Sequence, residues 1–219
     1  MILAPARALT ASAALALVLA ACTATGGATV APSVSTSASS PGTGAGCPTA
    51  QPAALPAGET RTVTIETGQG TIALALQADL SPIAVGNFVA LAECGYYDGV
   101  VFHRLVPGFV IQGGDPTGTG TGGPGYTITD EPVAAEYRRG TVAMARTSQP
   151  DSVGSQFFIV VDDAAQGSLV RANTYQIIGE VIAGMDVVDA IAAMPNSGDE
   201  TGNQAIDPVP MITVTVANP

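Results

Sequence analysis

Residues 101–115 read VFHRLVPGFVIQGGD, which is two short apolar runs joined by the pair Pro107-Gly108. A Pro-Gly pair between apolar, β-rich runs is typical of a turn between two strands. Arg104 lies in the first run beside aromatic residues, and no acidic residue follows it before Asp115. Because an unpaired cation is costly to place among apolar strand residues, this pattern indicates that the Arg104 guanidinium has a function.

The first 21 residues carry one basic residue, Arg7, followed by an apolar run from Ala11 to Ala21. That run is short for a transmembrane helix, which needs about 20 apolar residues, and its order is that of a secretory signal. The sequence LAAC, ending at Cys22, resembles the lipobox of bacterial lipoproteins. We therefore expect a lipoprotein signal peptide over residues 1–21, lipidation of Cys22 and an extracytoplasmic protein anchored to the bacterial membrane. An ordinary signal peptide cleaved near Ala21 is the alternative.

Residues 22–59 consist mainly of Ala, Thr, Ser, Gly and Pro, and Glu59 is the first charged residue among them. Such a segment buries too little apolar area to offset the entropy of ordering, which predicts a disordered tether. Residues 60–219 are enough for one domain with a full core. The formal net charge of −11 argues against a nucleic-acid partner, and nothing in the sequence indicates more than a monomer.

The remaining pattern predicts many strands and few helices. Ser81-Pro82 suggests a helix start, and apolar residues follow at helical spacing. We expect helices over 82–94 and 184–193, and strands over 62–66, 71–76, 100–104, 109–112, 141–145, 156–161, 176–181 and 211–216. An antiparallel sheet of this size must cover both faces or close on itself. The pattern alone allows a barrel or a sandwich.

Three separated segments resemble, in order, the signature of the cyclophilin family of peptidyl-prolyl cis-trans isomerases. They are FHRLVPGFVIQGGD from Phe102 with the GTGTGG that follows, MAR ending at Arg146 with a later GSQFFI, and GEV with GMDVV in residues 179–188. The resemblance covers residues 61–216. It implies a mainly β fold, a closed eight-stranded antiparallel barrel with two capping α-helices. It also implies prolyl isomerase activity on unfolded or exported proline-containing polypeptides, without a cofactor or a metal.

The chemistry of that reaction suits the residues present. Rotation about a peptide bond meets a barrier of about 18–20 kcal/mol because the C–N bond has partial double-bond character. A catalyst must favour the twisted amide, whose prolyl nitrogen regains its lone pair, over both planar states. A rigid guanidinium can donate a hydrogen bond to that nitrogen. We assign this role to Arg104, and the resemblance implies that Gln112 holds the guanidinium in place.

The resemblance also implies a substrate groove. An apolar pocket for the proline ring and a polar grip on the preceding main chain are expected from Phe102, Phe109, Val110, Phe158, Leu169 and Tyr175, and from Gln156 with the backbone of Ala145 and Arg146. The chain has no Trp, which the family often carries near Leu169, so weak cyclosporin affinity is implied. Strand alternation places Phe157 opposite Phe158, in the core.

Other chemistries are disfavoured. One histidine, His103, and few thiols make a zinc site improbable. Ser155 lacks the motif of a hydrolase nucleophile. The glycines from Gly118 to Gly123 match a dinucleotide-binding spacing, but Pro124 follows them rather than a helix, so we expect a flexible loop.

Two questions stay open at this stage. Outside the cytoplasm Cys47 and Cys94 can form a disulfide, or each can remain a free thiol. The alternative function is a weakly catalytic chaperone module that binds proline-containing segments, and a third is a small-molecule-binding lipoprotein.

Overall fold

Eight antiparallel strands form a closed barrel in the computed structural model, which describes residues 46–199 and 202–217. The strands are β1 (Thr60–Thr67), β2 (Gly70–Gln77), β3 (Val101–Val106), β4 (Val110–Asp115), β5 (Thr141–Met144), β6 (Phe157–Val160), β7 (Ile177–Ala183) and β8 (Gln204–Ala217). The helices are α1 (Pro82–Glu93), α2 (Gln166–Ala172) and α3 (Met185–Ala192). The expected eight-stranded barrel is confirmed.

Strand order around the barrel is β1-β2-β7-β5-β6-β4-β3-β8, and the first and last strands of this series pair with each other. Closure leaves no free sheet edge, so the sandwich alternative is wrong. The three strands β4, β6 and β5 lie side by side although they are distant in sequence. This neighbourhood carries the site described below.

The barrel interior follows from alternation along the strands. Val63 and Ile65 of β1 and Leu74 of β2 are fully buried, whereas their strand neighbours Thr64, Ala73 and Ala75 are only half-buried. Phe88 of α1 and Ile191 of α3 belong to the same interior cluster. Both predicted helices therefore pack against the barrel core.

Helix α1 begins at Pro82 as predicted, but Ser81 does not cap it. The Ser81 hydroxyl donates to the carbonyl of Leu80 instead. The Glu131 carboxylate caps the helix instead, because it accepts hydrogen bonds from the backbone N–H groups of Ile83 and Ala84 at 2.8 and 2.9 Å. A carboxylate at a helix N-terminus satisfies free donors and complements the helix dipole.

The end of the predicted tether lies against the domain. Cys47 and Cys94 form a disulfide with a Cα–Cα distance of 5.2 Å. The Leu55 N–H donates to the carbonyl of Pro82 at 3.0 Å, and Gln51 accepts from the N–H of Thr129 at 2.9 Å. The structure thus places residues 46–59 against the folded domain, where the sequence predicted a free tether. The earlier part of the tether, the signal peptide and Cys22 lie outside the described residues.

Helix α2 adds to the two predicted helices. It has seven residues, follows a 3-10 turn at Asp163–Ala165 and contains Gly167. A helix so short gives little periodic signal in sequence. Within residues 46–199 and 202–217, no helix is long and apolar enough to cross a membrane.

Candidate active site

A second apolar cluster lies on the outer face of the barrel, over β4, β5 and β6. Phe158 belongs to this outer cluster, whereas its neighbour Phe157 belongs to the interior cluster, as alternation predicts. The buried members of the outer cluster are Val110, Tyr137, Ala143, Phe158, Val160, Ala165, Leu169 and Ile177. Leu169 comes from α2, so this helix forms one wall of an apolar groove.

Strand register places the key side chains in one row. Arg104 pairs with Gln112, Gln112 with Phe158, and Phe158 with Ala143. Directly paired residues on neighbouring strands have Cβ atoms about 4.5–5.5 Å apart. The row therefore brings a cation, an amide and an aromatic ring together from three neighbouring strands.

The groove contains a cavity of about 220 Å³ at this row. Val110, Phe158 and Leu169 form its apolar floor and wall, each with at most 4% of its surface exposed. Tyr175 meets Phe158 edge to face, with ring centroids 5.4 Å apart. The lining combines every predicted groove residue except Phe102 and Gln156: Arg104, Phe109, Val110, Gln112, Ala145, Arg146, Phe158, Leu169 and Tyr175.

Phe102 does not line the groove, which corrects its predicted role. It is fully buried in the interior cluster, against Phe157. The register of β3 shifts between Phe102 and Arg104 against both neighbouring strands, so His103 is an extra residue in a β-bulge. A bulge reverses the alternation that follows it. It therefore separates Phe102, which faces inward, from Arg104, which faces the groove.

Two acceptors hold the Arg104 guanidinium. Its Nε donates to the carbonyl of Gly202 at 3.2 Å, and one terminal nitrogen donates to Oε1 of Gln112 at 3.3 Å. None of the ion pairs among the described residues includes Arg104. The cation is thus oriented without being neutralised, and it borders the cavity whose floor and wall are Val110, Phe158 and Leu169. The Gly202 contact has no sequence signal, because a backbone carbonyl is the acceptor.

Gln156 lies beside this network and lines a second cavity, of about 370 Å³. Its Oε1 accepts from Nε2 of Gln112 at 2.9 Å. The two cavities share Gln112, Ala145 and Arg146. They form neighbouring compartments that one extended peptide could occupy together.

The predicted main-chain grip is partly occupied by the protein itself. The Ala145 N–H already donates to the carbonyl of Gln156 at 2.9 Å, so it cannot also hold a peptide. The Arg146 side chain pairs with Asp130 at 2.9 Å and donates to the carbonyls of Thr147 and Gln149. Arg146 therefore braces the wall between the cavities.

The glycine-rich loop after β4 is more ordered than its sequence predicted. The carboxylate of Asp115 accepts from the backbone N–H groups of Thr117, Thr119, Gly120 and Gly122. Burial alone would raise the pKa of Asp115, but hydrogen bonds from Gly122, Thr117 and Gly120 outweigh it and hold the pKa below its usual value. Sequence reasoning missed this role, because backbone donors cannot be read from residue types.

Other candidate chemistries find no support in this region. Ser155 is 1% exposed, and its hydroxyl donates to the carbonyl of Gly114 at 2.6 Å. It therefore stabilises the core. Among residues 46–199 and 202–217, no three His, Cys, Asp or Glu side chains are grouped as metal ligands.

We predict a pH-dependent loss of stability from His103. Its ring is 1% exposed, and neither ring nitrogen has a partner among the described residues. Burial lowers the pKa of His103 below 6.5; the nearby charge of Asp115 opposes this shift and that of Arg104 adds to it. The folded ring therefore binds a proton less readily than the ring in the unfolded chain, whose pKa is about 6.5. The free energy of unfolding should therefore fall as pH drops from 7.5 to 5.5.

Urea unfolding at several pH values tests this prediction. His103→Gln should show a smaller fall in unfolding free energy over the same range. Equal falls in the wild type and the variant would show that other groups cause the dependence.

Comparisons with known proteins agree with this geometry. Residues 62–216 match the family model described as "Cyclophilin type peptidyl-prolyl cis-trans isomerase/CLD". The chain is 40% identical over 177 residues to peptidyl-prolyl cis-trans isomerase A of Mycobacterium tuberculosis, covering 72% of this chain and 93% of the relative. It is 37% identical over 173 residues to a probable peptidyl-prolyl cis-trans isomerase of Brucella suis, covering 73% and 84%.

Solved structures show the same likeness. A cyclophilin-type isomerase of Cryptosporidium parvum superposes with a TM-score of 0.64 and 33% identity, covering 73% of this chain and 99% of that one. A second crystal structure of that protein, determined in the presence of the dipeptide Ala-Pro, has a TM-score of 0.63 and 33% identity, covering 72% and 99%. Together with the barrel and its groove, these matches show that the chain belongs to the cyclophilin-type peptidyl-prolyl cis-trans isomerase family.

Proposed function

We propose that this isomerase accelerates rotation about X-Pro bonds by a hydrogen bond from Arg104 to the prolyl nitrogen. The observation that carries the proposal is the position of the guanidinium, fixed by Gly202 and Gln112 and unpaired with any described carboxylate, at the edge of the apolar cavity. In a planar amide the nitrogen lone pair is delocalised and accepts poorly. Twisting localises it, so the same donor stabilises the twisted state most.

The apolar cavity supplies the second requirement, an anchor for the proline ring. Phe109, Val110, Phe158 and Leu169 offer a surface on which the ring can stay while the preceding carbonyl rotates. The volume of about 220 Å³ suits a small apolar group. The crystal structure of a relative with Ala-Pro supports a proline-containing ligand. Residues before the proline would occupy the second cavity, beside Gln156.

The reaction needs only positioning and electrostatics. No bond is broken, so the described groove has to supply one directed donor and a low-dielectric wall. Gln112 keeps the Arg104 guanidinium oriented by accepting a hydrogen bond from it. Substrate and product differ only in the rotation, so one arrangement serves both directions.

Exchange NMR on a short Ala-Pro peptide tests the activity. We expect the wild-type chain to increase the cis–trans exchange rate far above the uncatalysed rate, at which one isomerisation takes about tens to hundreds of seconds. Peptide shifts that titrate with protein while exchange stays slow would instead support the weakly catalytic chaperone module. If the peptide shows neither shifts nor faster exchange, both functions are rejected.

We also propose that the enzyme works outside the cytoplasm, held by lipid on Cys22 and acting on unfolded or exported proteins. The lipobox-like LAAC supports this, as does the disulfide between Cys47 and Cys94, because disulfides persist in oxidising compartments. Labelled fatty acid should enter the wild-type protein in bacteria but not Cys22→Ser. Equal labelling of both would contradict lipidation at Cys22.

A further inference from the structure

The strongest unassigned feature is the buried carboxylate of Asp115, at the end of β4. It is fully buried, and none of the ion pairs among the described residues includes it. Its closest backbone donors are the N–H groups of Gly120 at 2.6 Å, Thr117 at 2.7 Å and Gly122 at 3.0 Å. One carboxylate therefore organises the whole turn that follows the strand.

The same turn faces the groove on its other side. The carbonyls of Gly120 and Gly122 accept from Nε2 of Gln156 at 3.0 and 2.9 Å. Each of these two glycines thus gives its N–H to Asp115 and its C=O to Gln156. Gly122 has no room for a side chain, because a Cβ there would lie 2.0 Å from Oδ1 of Asp115.

These bonds fix the direction of a hydrogen-bond chain. With its NH₂ group held by two carbonyls, Gln156 must present Oε1 to Gln112, and the distance from Nε2 of Gln112 is 2.9 Å. Gln112 must then present its own Oε1 to Arg104, at 3.3 Å. A flipped Gln156 would offer a donor to Gln112, whose NH₂ group would then face the guanidinium, donor against donor.

We propose that Asp115 is a positioning residue for Arg104, acting through the turn at residues 117–122 and the amides of Gln156 and Gln112. This inference rests on the proposed role of Arg104 in catalysis. Asp115 touches no substrate in this scheme. It determines that Gln112 turns its acceptor oxygen Oε1, and not its NH₂ group, toward Arg104.

The carboxylate is needed because of its number of acceptor sites. Oδ1 accepts from the N–H and hydroxyl of Thr117, and Oδ2 from the N–H groups of Thr119, Gly120 and Gly122. An amide at this position keeps one acceptor oxygen. Its NH₂ group, in place of the other oxygen, would face backbone N–H groups, which are also donors. Asp115→Asn therefore loosens the turn with almost no change in volume.

The test compares Asp115→Asn with Glu131→Gln in the full chain. Glu131 also holds backbone N–H groups, but at the start of α1, so both variants weaken a carboxylate-organised backbone. We expect Asp115→Asn to lower kcat about 10- to 100-fold with little change in KM, because the apolar pocket is intact. Glu131→Gln should lower thermal stability and leave kcat unchanged.

NMR of the side chains separates this inference from the proposed function. Asp115→Asn should shift the Arg104 Nε–H and the Gln112 and Gln156 NH₂ resonances, and Glu131→Gln should not. These shifts test positioning even if Arg104 proves unnecessary for turnover. Unmoved resonances, or equal loss of kcat in both variants, would overturn the inference. If Asp115→Asn does not fold, Thr117→Val serves instead, because it removes one donor to Oδ1 of Asp115. Thr117→Val must then shift the same resonances to a smaller extent. Unmoved resonances in this variant would overturn the inference.

Discussion

Replacing Arg104 by alanine is expected to lower kcat/KM for prolyl isomerisation about a thousandfold while the domain stays folded. A hydrogen bond that forms fully only in the twisted amide contributes to the rate, and a stabilisation of about 4 kcal/mol gives about a thousandfold. No other described side chain that lines the proline cavity carries an unneutralised cation, since Arg146 pairs with Asp130. The apolar pocket alone would bind the proline ring in its planar and twisted states about equally.

The fold should survive this substitution because the Arg104 contacts are few and long. Its bonds to Gly202 and Gln112 measure 3.2 and 3.3 Å, and a typical hydrogen bond contributes about 1 kcal/mol to stability. Circular dichroism and thermal unfolding of the variant should remain close to the wild type.

Two further variants sharpen the test. Arg104→Lys keeps the charge but loses the planar fork, so its kcat/KM should lie closer to that of alanine than to that of arginine. Arg138→Ala removes an exposed arginine whose guanidinium pairs with Glu136 on the surface, and it should retain full activity. A wild-type rate in Arg104→Ala would contradict the proposed mechanism.

Loss of the Cys47–Cys94 disulfide is expected to lower the free energy of unfolding by about 4 kcal/mol. The bond closes a loop with a sequence separation of 47 residues, and its removal restores conformational freedom to the unfolded chain. The segment it secures lies close on α1, because a Cβ on Gly86 would lie 2.3 Å from the carbonyl oxygen of Ala53. Freed from Cys94, that segment would keep the hydrogen bonds of Leu55 and Gln51 and the packing of Leu55 against the interior cluster.

Urea unfolding of Cys47→Ala and Cys94→Ala measures this effect. Both variants should lose the same stability, and a reductant should bring the wild type to their level without altering them further. Isomerase activity should be unchanged well below the unfolding transition. An unfolding midpoint of the wild type that is insensitive to reductant would show that the bond is absent or unimportant.

Local patterns sufficed for much of the fold and the groove. Alternation in β6 assigned Phe157 to the core and Phe158 to the groove, and both positions are observed. The family resemblance implied that Gln112 holds the Arg104 guanidinium, and the direct pairing of β3 with β4 places the two residues side by side. These features depend on residues close in sequence.

Features that depend on distant or backbone contacts were not predictable. The bulge at His103 reverses the strand alternation, so Phe102 faces the core and not the groove that the resemblance implied for it. The segment over α1 is ordered by a bond to Cys94, far along the chain. The order of the turn after Asp115 comes from main-chain donors. Of these contacts, residue types indicated only the disulfide between Cys47 and Cys94, and they left that pairing open.

The most direct test of the account measures binding and rotation separately. NMR line-shape analysis of a proline peptide titrated with the wild type and with Arg104→Ala gives both the Kd and the exchange rate within the complex. If Arg104 acts on the twisted amide, the Kd should change only a few-fold while the bound exchange rate falls about a thousandfold. A Kd weakened by that whole factor, with bound exchange unchanged, would show that Arg104 only binds the substrate.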